Sequence, residues 1–234
     1  MRGLSSHDVL ALWESGVPLH PLDRGLLALG AADPSTAGSV ADWPLGRRNR
    51  ALLDLHASWF GPRLQAWTSC PSCGDKVEFE LDARELASAR PDDQPEDRVT
   101  IGDQTFRLPT SRDVAVVVAR NAPACAATDL LDRCRVDGPA PDQWAGELLE
   151  TVEQGLASAD PLAETRLALS CPSCAREWDD AFDAAGFLWA ELESRARRVL
   201  WEVHTLASAY GWSESESLAL GDARRAMYLE IVRA

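Results

Sequence analysis

Two cysteine pairs carry the clearest chemistry in this 234-residue chain. Cys70 and Cys73 lie in the sequence CPSCG, and Cys171 and Cys174 lie in a near copy, CPSC. A Cys-x-x-Cys loop places two thiolates within bonding reach of one ion, and its backbone N–H groups can donate hydrogen bonds to the sulfurs. Two such loops supply four ligands for a tetrahedral ion. We therefore predict that these four cysteines bind Zn²⁺.

A zinc ion held by four thiolates has no open position for water or substrate, so the predicted metal is structural. Ordinary core cysteines are a poorer explanation, because CPSC occurs twice in a chain with six cysteines. Disulfides are disfavoured in the cytosol. A thioredoxin-like redox pair is a closer alternative, although such a pair normally opens a helix, whereas CPSCG precedes a strand pattern. Cys125 and Cys134 lack ligand spacing and are interpreted as buried or incidental thiols.

The sequence offers no motif that indicates an enzyme. It contains no GxxxxGK[ST], HExxH, GxSxG or GxGxxG. The four histidines are far apart, and His56 and His204 fall on the apolar stripes of predicted helices, where a packing role is more common than catalysis. We therefore predict a non-enzymatic protein.

The charge of the chain disfavours nucleic acid as a partner. The net charge of −14 produces a field that repels phosphate backbones. Basic segments occur at 47–50 and at Arg197 and Arg198, but each is short and has a helix-like pattern. We interpret both as solvated helix faces.

The N-terminal sequence predicts a cytoplasmic protein. Its short apolar run is interrupted by Asp8 and Glu14, unlike that of a signal peptide. No later stretch approaches the roughly 20 apolar residues of a bilayer span. We therefore expect no membrane insertion.

The elements that must position the cysteines predict an α+β fold that is mainly α. Helical modules at both ends surround a small four-cysteine zinc ribbon, and the ribbon carries an α/β insertion. The predicted segments are 1–66 (N-terminal helical module), 67–82 (first half of the ribbon), 83–162 (inserted hairpin and helices), 163–185 (second half of the ribbon) and 186–234 (long helix and C-terminal helical hairpin).

The first module is predicted from helix caps and apolar stripes. Ser6 can cap a first helix, and Pro21 can begin a second. A third helix is predicted from an apolar stripe that ends before Gly61 and Pro62; the stripe comprises Leu52, Leu55, His56 and Trp59.

The ribbon is predicted from alternating residues beside the cysteine loops. KVEFEL, at 76–81, has the period-two pattern of a strand, and RLAL, at 166–169, precedes the second loop. We expect these two strands to pair and bring the cysteines together. Within the insertion, a polar Pro-rich loop is predicted at 90–98 and a hairpin turn at Gly102 and Asp103. Helices are predicted at 113–122, with Thr110 and Ser111 as possible caps, at 126–134 and at 143–157.

The C-terminal module begins with a long helix from about Ala185 to Tyr210, which Gly211 ends. Ser213 and Glu216 have the spacing of a capping box, and Asp222 can cap a last helix. Of the nine tryptophans in the chain, Trp189 and Trp201 are predicted to lie in the core. Trp212 either packs as a hydrophobic staple or anchors a partner protein, and packing is favoured.

The order of these motifs resembles a group of proteins encoded with phage-like contractile tails and injection systems. Those proteins are described as similar to the baseplate hub assembly chaperone of T-even phages. The resemblance covers most of the chain, from GRRNRALLDLHASWFG through both cysteine loops to the end. The cysteine loops mark a bacterial subgroup, and Ala175 departs from the glycine that commonly follows the second loop. The most characteristic residues are Gly211, Trp212, Ser213, Glu216, Leu220, Arg224, Arg225 and Tyr228.

The resemblance implies a non-enzymatic assembly factor or minor structural component of a contractile injection system. Its partners would be baseplate or hub proteins, and it would act in the cytoplasm or within the assembled tail particle. The implied partner-binding residues are Trp212, Arg224, Arg225 and Tyr228. Two alternatives from other classes stay open: a zinc-ribbon nucleic-acid or transcription accessory protein, and a thiol redox protein.

Overall fold

The computed structural model describes residues 4–88, 98–141, 144 and 146–233. The predicted α+β, mainly α fold is confirmed, with the strands confined to small antiparallel sheets. The α-helices are α1 Ser6–Gly16, α2 Pro21–Ala32, α3 Leu45–Trp59, α4 Ala83–Ser88, α5 Ser111–Ala119, α6 Ala126–Cys134, α7 Gly146–Ala159, α8 Ala184–Tyr210, α9 Glu214–Ala219 and α10 Asp222–Arg233. The strands are β1 Arg63–Ser69, β2 Lys76–Asp82, β3 Arg98–Ile101, β4 Gln104–Arg107, β5 Arg135–Asp137, β6 Thr165–Ser170 and β7 Glu177–Phe182.

The predicted pairing of the two cysteine strands with each other is wrong. β2 pairs with β1, and β6 pairs with β7, so each cysteine loop closes its own antiparallel hairpin. A hairpin is favoured because joining neighbouring segments closes a much shorter loop than joining strands about ninety residues apart. β1 was not predicted as a strand, and it begins four residues before the predicted first half of the ribbon.

The two hairpins contact each other through their inner faces. On the first hairpin, the buried Leu64 and Val77 lie on this face; on the second, the half-buried Trp178 packs beside the cysteines. Thr68 donates a hydrogen bond to the carboxylate of Asp180, at 3.0 Å, and so joins the two hairpins directly. The cysteine loops are thereby brought to the same end of the pair.

The order of elements occurs twice along the chain. Repeat 1, residues 5–88, contains α1, α2, α3, the β1–β2 hairpin and α4; repeat 2, residues 110–210, contains α5, α6, α7, the β6–β7 hairpin and α8, with the additional short strand β5 between α6 and α7. Each repeat opens on a capping box, formed by Ser5 and Asp8 in SSHDV and by Thr110 and Asp113 in TSRDV. These shared signals show that the two cysteine hairpins belong to a larger internal repeat.

The spacing within the repeats is also shared. The residue pairs that begin α3 and α7, that open the two cysteine loops, and that precede α4 and α8 are each 101 positions apart; they are Leu45 and Gly146, Cys70 and Cys171, and Asp82 and Asp183. Asp82 and Asp183 each accept a hydrogen bond from the backbone of the helix that follows. The repeats therefore agree in register from the third helix to the last.

The long helix α8 of repeat 2 completes the core of repeat 1. It lies against α1, α2 and α3. Near its start, Ala184 and Leu188 join a core that contains Leu52 and Leu55 of α3. Farther along, Leu192 and Val199 pack with Val9, Leu10 and Leu12 of α1. α2 and α8 approach closely, because a Cβ added at Gly25 would lie 3.0 Å from that of Ala185.

Repeat 2 has a separate core beneath the β3–β4 hairpin. Phe106 and Val152 are fully buried there, with Leu131 and Leu156 beside them. The predicted hairpin turn is confirmed at Gly102, whose φ is +63°. The predicted loop at 90–98 lies outside the described residues except for Arg98, which begins β3, and the predicted helix start at Gln143 also lies outside them.

Most helix predictions are confirmed, with corrections at four residues. α1 is capped by Ser5 and not by Ser6, which is buried. α10 begins at Asp222, which is therefore the first residue of the helix and not the residue that caps it. Trp201 is 48% exposed and His204 is exposed, because the buried stripe of α8 runs through Leu192, Ala196, Val199, Val203 and Leu206 and leaves both residues outside it. Trp189, by contrast, lies in the core as predicted.

Among the described residues, no helix is both long and apolar enough to cross a bilayer.

Candidate metal centre

The two hairpins bring all four predicted ligand residues together. The Sγ atoms of Cys70 and Cys174 are 3.7 Å apart, and those of Cys73 and Cys171 are 3.6 Å apart. All four sulfurs lie within 4.8 Å of one another. Four sulfurs at about 2.3 Å from one ion would be separated by about 3.8 Å in a tetrahedron. The four-cysteine cluster therefore has the dimensions of a tetrahedral metal site.

The contacts in the cluster are reciprocal. The first cysteine of each loop lies beside the second cysteine of the other loop. Reciprocal contacts of this kind are the signature of a two-fold arrangement, here between two halves of one chain. Cys70 and Cys171 are buried, whereas Cys73 and Cys174 are exposed, so each loop contributes one inner and one outer sulfur.

The two loops have the same backbone hydrogen bonds. The amide of Cys70 donates to the carbonyl of Asp75, and the amide of Gly74 donates to the carbonyl of Cys70. In the second loop, the amide of Cys171 donates to Arg176 and that of Ala175 donates to Cys171, at matching distances of 2.8 and 2.9 Å. Ala175, which stands where the first loop has Gly74, therefore forms the same turn.

Ala175 adopts a backbone conformation that favours glycine. Its φ is +55°, and that of Gly74 is +78°. A residue with a Cβ pays roughly 1–2 kcal/mol in this left-handed region. The second loop therefore keeps its turn at a cost that the first loop avoids.

Protonation is uneven across the cluster. Hydrogen bonds from backbone N–H groups, first that of Cys73 and then that of Ser72, lower the pKa of Cys70 to about 6. A backbone N–H at Asp75 acts to lower the pKa of Cys73, but partial desolvation of the sulfur and the neighbouring cysteines outweigh it and raise that pKa to about 12. Negative charges on sulfurs this close repel one another, so some of the thiols stay protonated. A bound cation is therefore needed for all four to be thiolates.

The donor set limits the chemistry of the site. Four sulfurs in tetrahedral arrangement suit soft or borderline ions such as zinc or iron. With four protein ligands, the ion has no free position for a substrate, so the site can crosslink the two hairpins but cannot activate water. All six cysteines lie among the described residues, and none of them forms a disulfide.

The other two cysteines lie outside the cluster. Cys125 is exposed, whereas Cys134 is fully buried at the end of α6. Burial raises the pKa of the Cys134 thiol to about 11, which keeps it protonated and unreactive. The interpretation of these residues as buried or incidental thiols agrees with these positions.

The structure brings together part of the implied partner-binding set at the C-terminus. The ring of Trp212 stacks on Tyr210, with ring centroids 4.7 Å apart, and meets Tyr228 edge-on at 4.9 Å. Trp212 and Tyr228 are half-buried, and Arg224 is exposed. These three residues are accessible to a partner.

Arg225 is placed differently, because it is 2% exposed and lies inside the protein. Its guanidinium pairs with Glu202 of α8 at 2.8 Å and with Asp222 at 2.7 Å. It also donates to the hydroxyl of Ser6 in α1, at 2.6 Å, and to the carbonyl of Leu220. Arg225 therefore fastens α10 to α1 and α8 and has no surface to offer a partner.

Sequence reasoning missed a second buried charge cluster, around Asp113. This carboxylate is 3% exposed and accepts hydrogen bonds from Arg107, Arg133 and Thr110. Burial acts to raise its pKa, but the bonds from Arg107 and Thr110 outweigh it and hold the pKa far below its usual range. The capping-box spacing of Thr110 and Asp113 was the available signal for this carboxylate, whereas its arginine partners, Arg107 and Arg133, come from other elements.

Comparison of the chain with protein-family models, with curated proteins and with solved structures gave no match.

Proposed function

We propose that this protein is a non-enzymatic assembly factor, or a minor structural component, of a phage-tail-like contractile injection system. In this proposal it binds baseplate or hub proteins, in the cytoplasm or within the tail particle, and Zn²⁺ bound by the four-cysteine cluster holds its two repeats together. The partner class in this proposal comes from the resemblance of the motif order. The observation that supports the structural-metal part is the four-sulfur cluster, which joins the repeats and leaves no ligand position for catalysis.

Zinc is the ion that the cluster supports best. Cys-x-x-Cys loops at hairpin ends are typical of structural zinc sites. Zinc has no redox chemistry, which suits a closed site with a purely structural role. Structural zinc contributes about 10–16 kcal/mol of binding free energy in small peptides. In this chain the ion would tie Cys70 to Cys171, and so join residues on either side of the whole insertion.

Binding to a protein partner is supported by the exposed apolar residues of the C-terminal helices. Met227 and Ile231 of α10 are 66% and 63% exposed, and Tyr210, 38% exposed, belongs to the aromatic group around Trp212. Neighbouring exposed apolar and aromatic side chains are typical of protein interfaces. The residues of the family resemblance, such as Trp212, Arg224 and Tyr228, lie in this same region.

The nucleic-acid alternative receives less support from the charge of the hairpins. Their outer faces carry Glu78 and Glu80 on β2 and Glu177 and Asp179 on β7, all of which are exposed. Glu78 pairs with Lys76 and Glu80 with Arg63, so it is the acidic face of β7 that would repel a phosphate backbone. The redox alternative requires one cysteine pair to act alone, whereas the contacts at 3.6 and 3.7 Å join one loop to the other.

Affinity capture from the native host tests the partner. The tagged full chain should recover baseplate or hub proteins, and the surface variant Arg224→Ala combined with Tyr228→Ser should recover less of them. Ala11→Glu, an exposed change on α1, is the control and should recover wild-type amounts. Tails that assemble with normal yield and function in a strain lacking this protein would contradict the proposal.

A further inference from the structure

An open groove lies between α6 and α7 of repeat 2 and has a volume of about 710 Å³. Leu45 of α3, Pro109 and residues from 160 to 164 complete its lining. Its floor is apolar and includes Leu130, Leu131 and Leu156. Ala127 of α6 and Ala157 of α7 stand on its two walls, and both are exposed. A cleft of this size and lining is within the range of binding sites in proteins.

The same place in repeat 1 is filled by a helix. Leu52 and Leu55 of α3 stand 101 positions before Glu153 and Leu156, which line the groove on α7. In repeat 1 these two leucines pack in one core with Ala184 and Leu188 of α8. α8 also lies directly against α2 and α3. The molecule thus shows how the groove between the second and third helix of a repeat is covered.

Repeat 1 does not supply the equivalent helix to repeat 2. Its α4 follows the first hairpin as α8 follows the second, but α4 has six residues where α8 has 27. α4 packs on α3 of its own repeat, where Ala83 and Ala87 are buried. The sequence that follows, 89–97, contains no apolar side chain larger than alanine or proline, so it has no residues to fill an apolar groove.

The negative charge of α7, beside the groove, favours a basic helix over an acidic one as the ligand. α7 carries Glu147, Glu150 and Glu153, all exposed, and it contains no lysine or arginine. In the described part of the chain, none of these three carboxylates takes part in an ion pair. A basic ligand would gain from this wall and an acidic ligand would be repelled.

We propose that the α6–α7 groove binds an amphipathic helix of a partner protein, with small and leucine-like residues facing the groove and arginine or lysine beside α7. The helix would lie on α6 and α7 as α8 lies on α2 and α3. Helix-in-groove binding of this kind is a recurrent mode of protein recognition. The inference deepens the proposed assembly function and rests on it for the identity of the partner.

The probe is a fluorescent peptide with the sequence of residues 184–200, which carries three arginines and two glutamates. Fluorescence anisotropy with the full-length, metal-loaded chain should show saturable binding. Ala127→Glu and Ala157→Glu should each weaken it by about tenfold, because each places a charge against the apolar face of the peptide. Ala11→Glu changes the net charge equally but lies on α1, and should bind the peptide like the wild type.

A charge test separates this mode from loose hydrophobic adhesion. Glu153→Gln should weaken peptide binding at low salt and reduce its dependence on salt, because one carboxylate no longer attracts the arginines. Absence of saturable binding, or equal binding by Ala157→Glu and the wild type, would overturn the proposal. A dimer in sedimentation that Ala157→Glu dissociates would assign the groove to a second copy and overturn the partner helix.

The peptide-binding and capture experiments distinguish failure of the groove proposal from failure of the proposed assembly function. Peptide binding at the groove together with a capture experiment that recovers no tail protein would keep the groove and refute the proposed system. Recovery of baseplate or hub proteins in equal amounts by Ala157→Glu and the wild type would do the opposite.

Discussion

At the scale of single residues, the second cysteine loop has an alanine in a backbone conformation that favours glycine. Ala175 has the left-handed backbone that Gly74 supplies in the first loop, with the same hydrogen bonds around it. Ala175→Gly should therefore raise the free energy of unfolding of the metal-loaded protein by roughly 0.5–1 kcal/mol, after the greater freedom of glycine in the unfolded chain is subtracted. Urea unfolding measures this value.

The matched change in the first loop is Gly74→Ala, which should lower the free energy of unfolding by a similar amount. No side chain or backbone atom lies within 4 Å of a Cβ added at Gly74, so the cost is conformational and not steric. A loss of stability in Ala175→Gly would show that the two loops differ in ways that their hydrogen bonds do not reveal.

Asp113 gives a prediction for pH. Its pKa is held far below the usual range, so its charge contributes stability that is present above about pH 4, the unfolded pKa, and that is lost as the pH falls further. Asp113→Asn should therefore lower the free energy of unfolding by roughly 2–3 kcal/mol at pH 7, and the difference from the wild type should shrink below pH 4.

The control for this pH dependence is Asp179→Asn, on the exposed outer face of β7, which should track the wild type throughout. Acid titrations of unfolding in denaturant would provide the comparison. A constant difference between Asp113→Asn and the wild type from pH 7 to pH 2 would contradict the role assigned to the carboxylate charge.

At the scale of elements, two neighbouring arginines separate stability from partner binding. Arg225→Ala should destabilise the docking of α10 by roughly 3 kcal/mol, because it leaves the partly buried Glu202 without its cation. Arg224→Ala should leave the free energy of unfolding within about 0.5 kcal/mol of the wild type, because its side chain is exposed. Thermal unfolding of the two variants tests this contrast, and equal losses would refute it.

Helices with clear terminal signals were predictable from sequence, because α2 begins at Pro21 and α8 is ended by Gly211. β1 was not, because its inward side chains include only one large apolar residue, Leu64, beside Ala66 and Thr68, while Trp67 faces solvent. A period-two pattern carried by small and hydroxyl side chains is too weak to distinguish strand from loop. Trp201 was misplaced because α8 has apolar residues on more than one face.

At the scale of the whole molecule, the clustering of the four cysteines was predictable and the architecture around them was not. Two identical CPSC loops have the spacing that is typical of a metal site. The rest of the repeat has diverged, and its remaining sequence matches, such as SSHDV and TSRDV, are short. The packing of α8 on repeat 1 joins residues that are more than a hundred positions apart, and local sequence patterns do not encode such contacts.

The two repeats are connected by the packing of α8 on α1, α2 and α3, by hydrogen bonds such as those from Gly46 to Asp160 and from Thr68 to Asp180, and by the four-cysteine cluster. Only the cluster depends on a metal. Removal of the ion should therefore loosen the two hairpins and leave the helical core of repeat 1 folded. Amide hydrogen exchange with and without a strong chelator should show faster exchange in β1, β2, β6 and β7 and little change in α1 and α3; uniform protection in both states would contradict this division.

The metal content of two single variants tests the central claim most directly. Cys73 and Cys125 are both exposed cysteines, but only Cys73 belongs to the four-cysteine cluster. Elemental analysis should find one zinc per chain in the wild type and in Cys125→Ser, and much less in Cys73→Ser, with an earlier thermal transition for that variant. Equal zinc content in the two variants, or a wild type purified without metal and with a disulfide within one loop, would contradict the account of the cluster as a metal clamp between the two repeats.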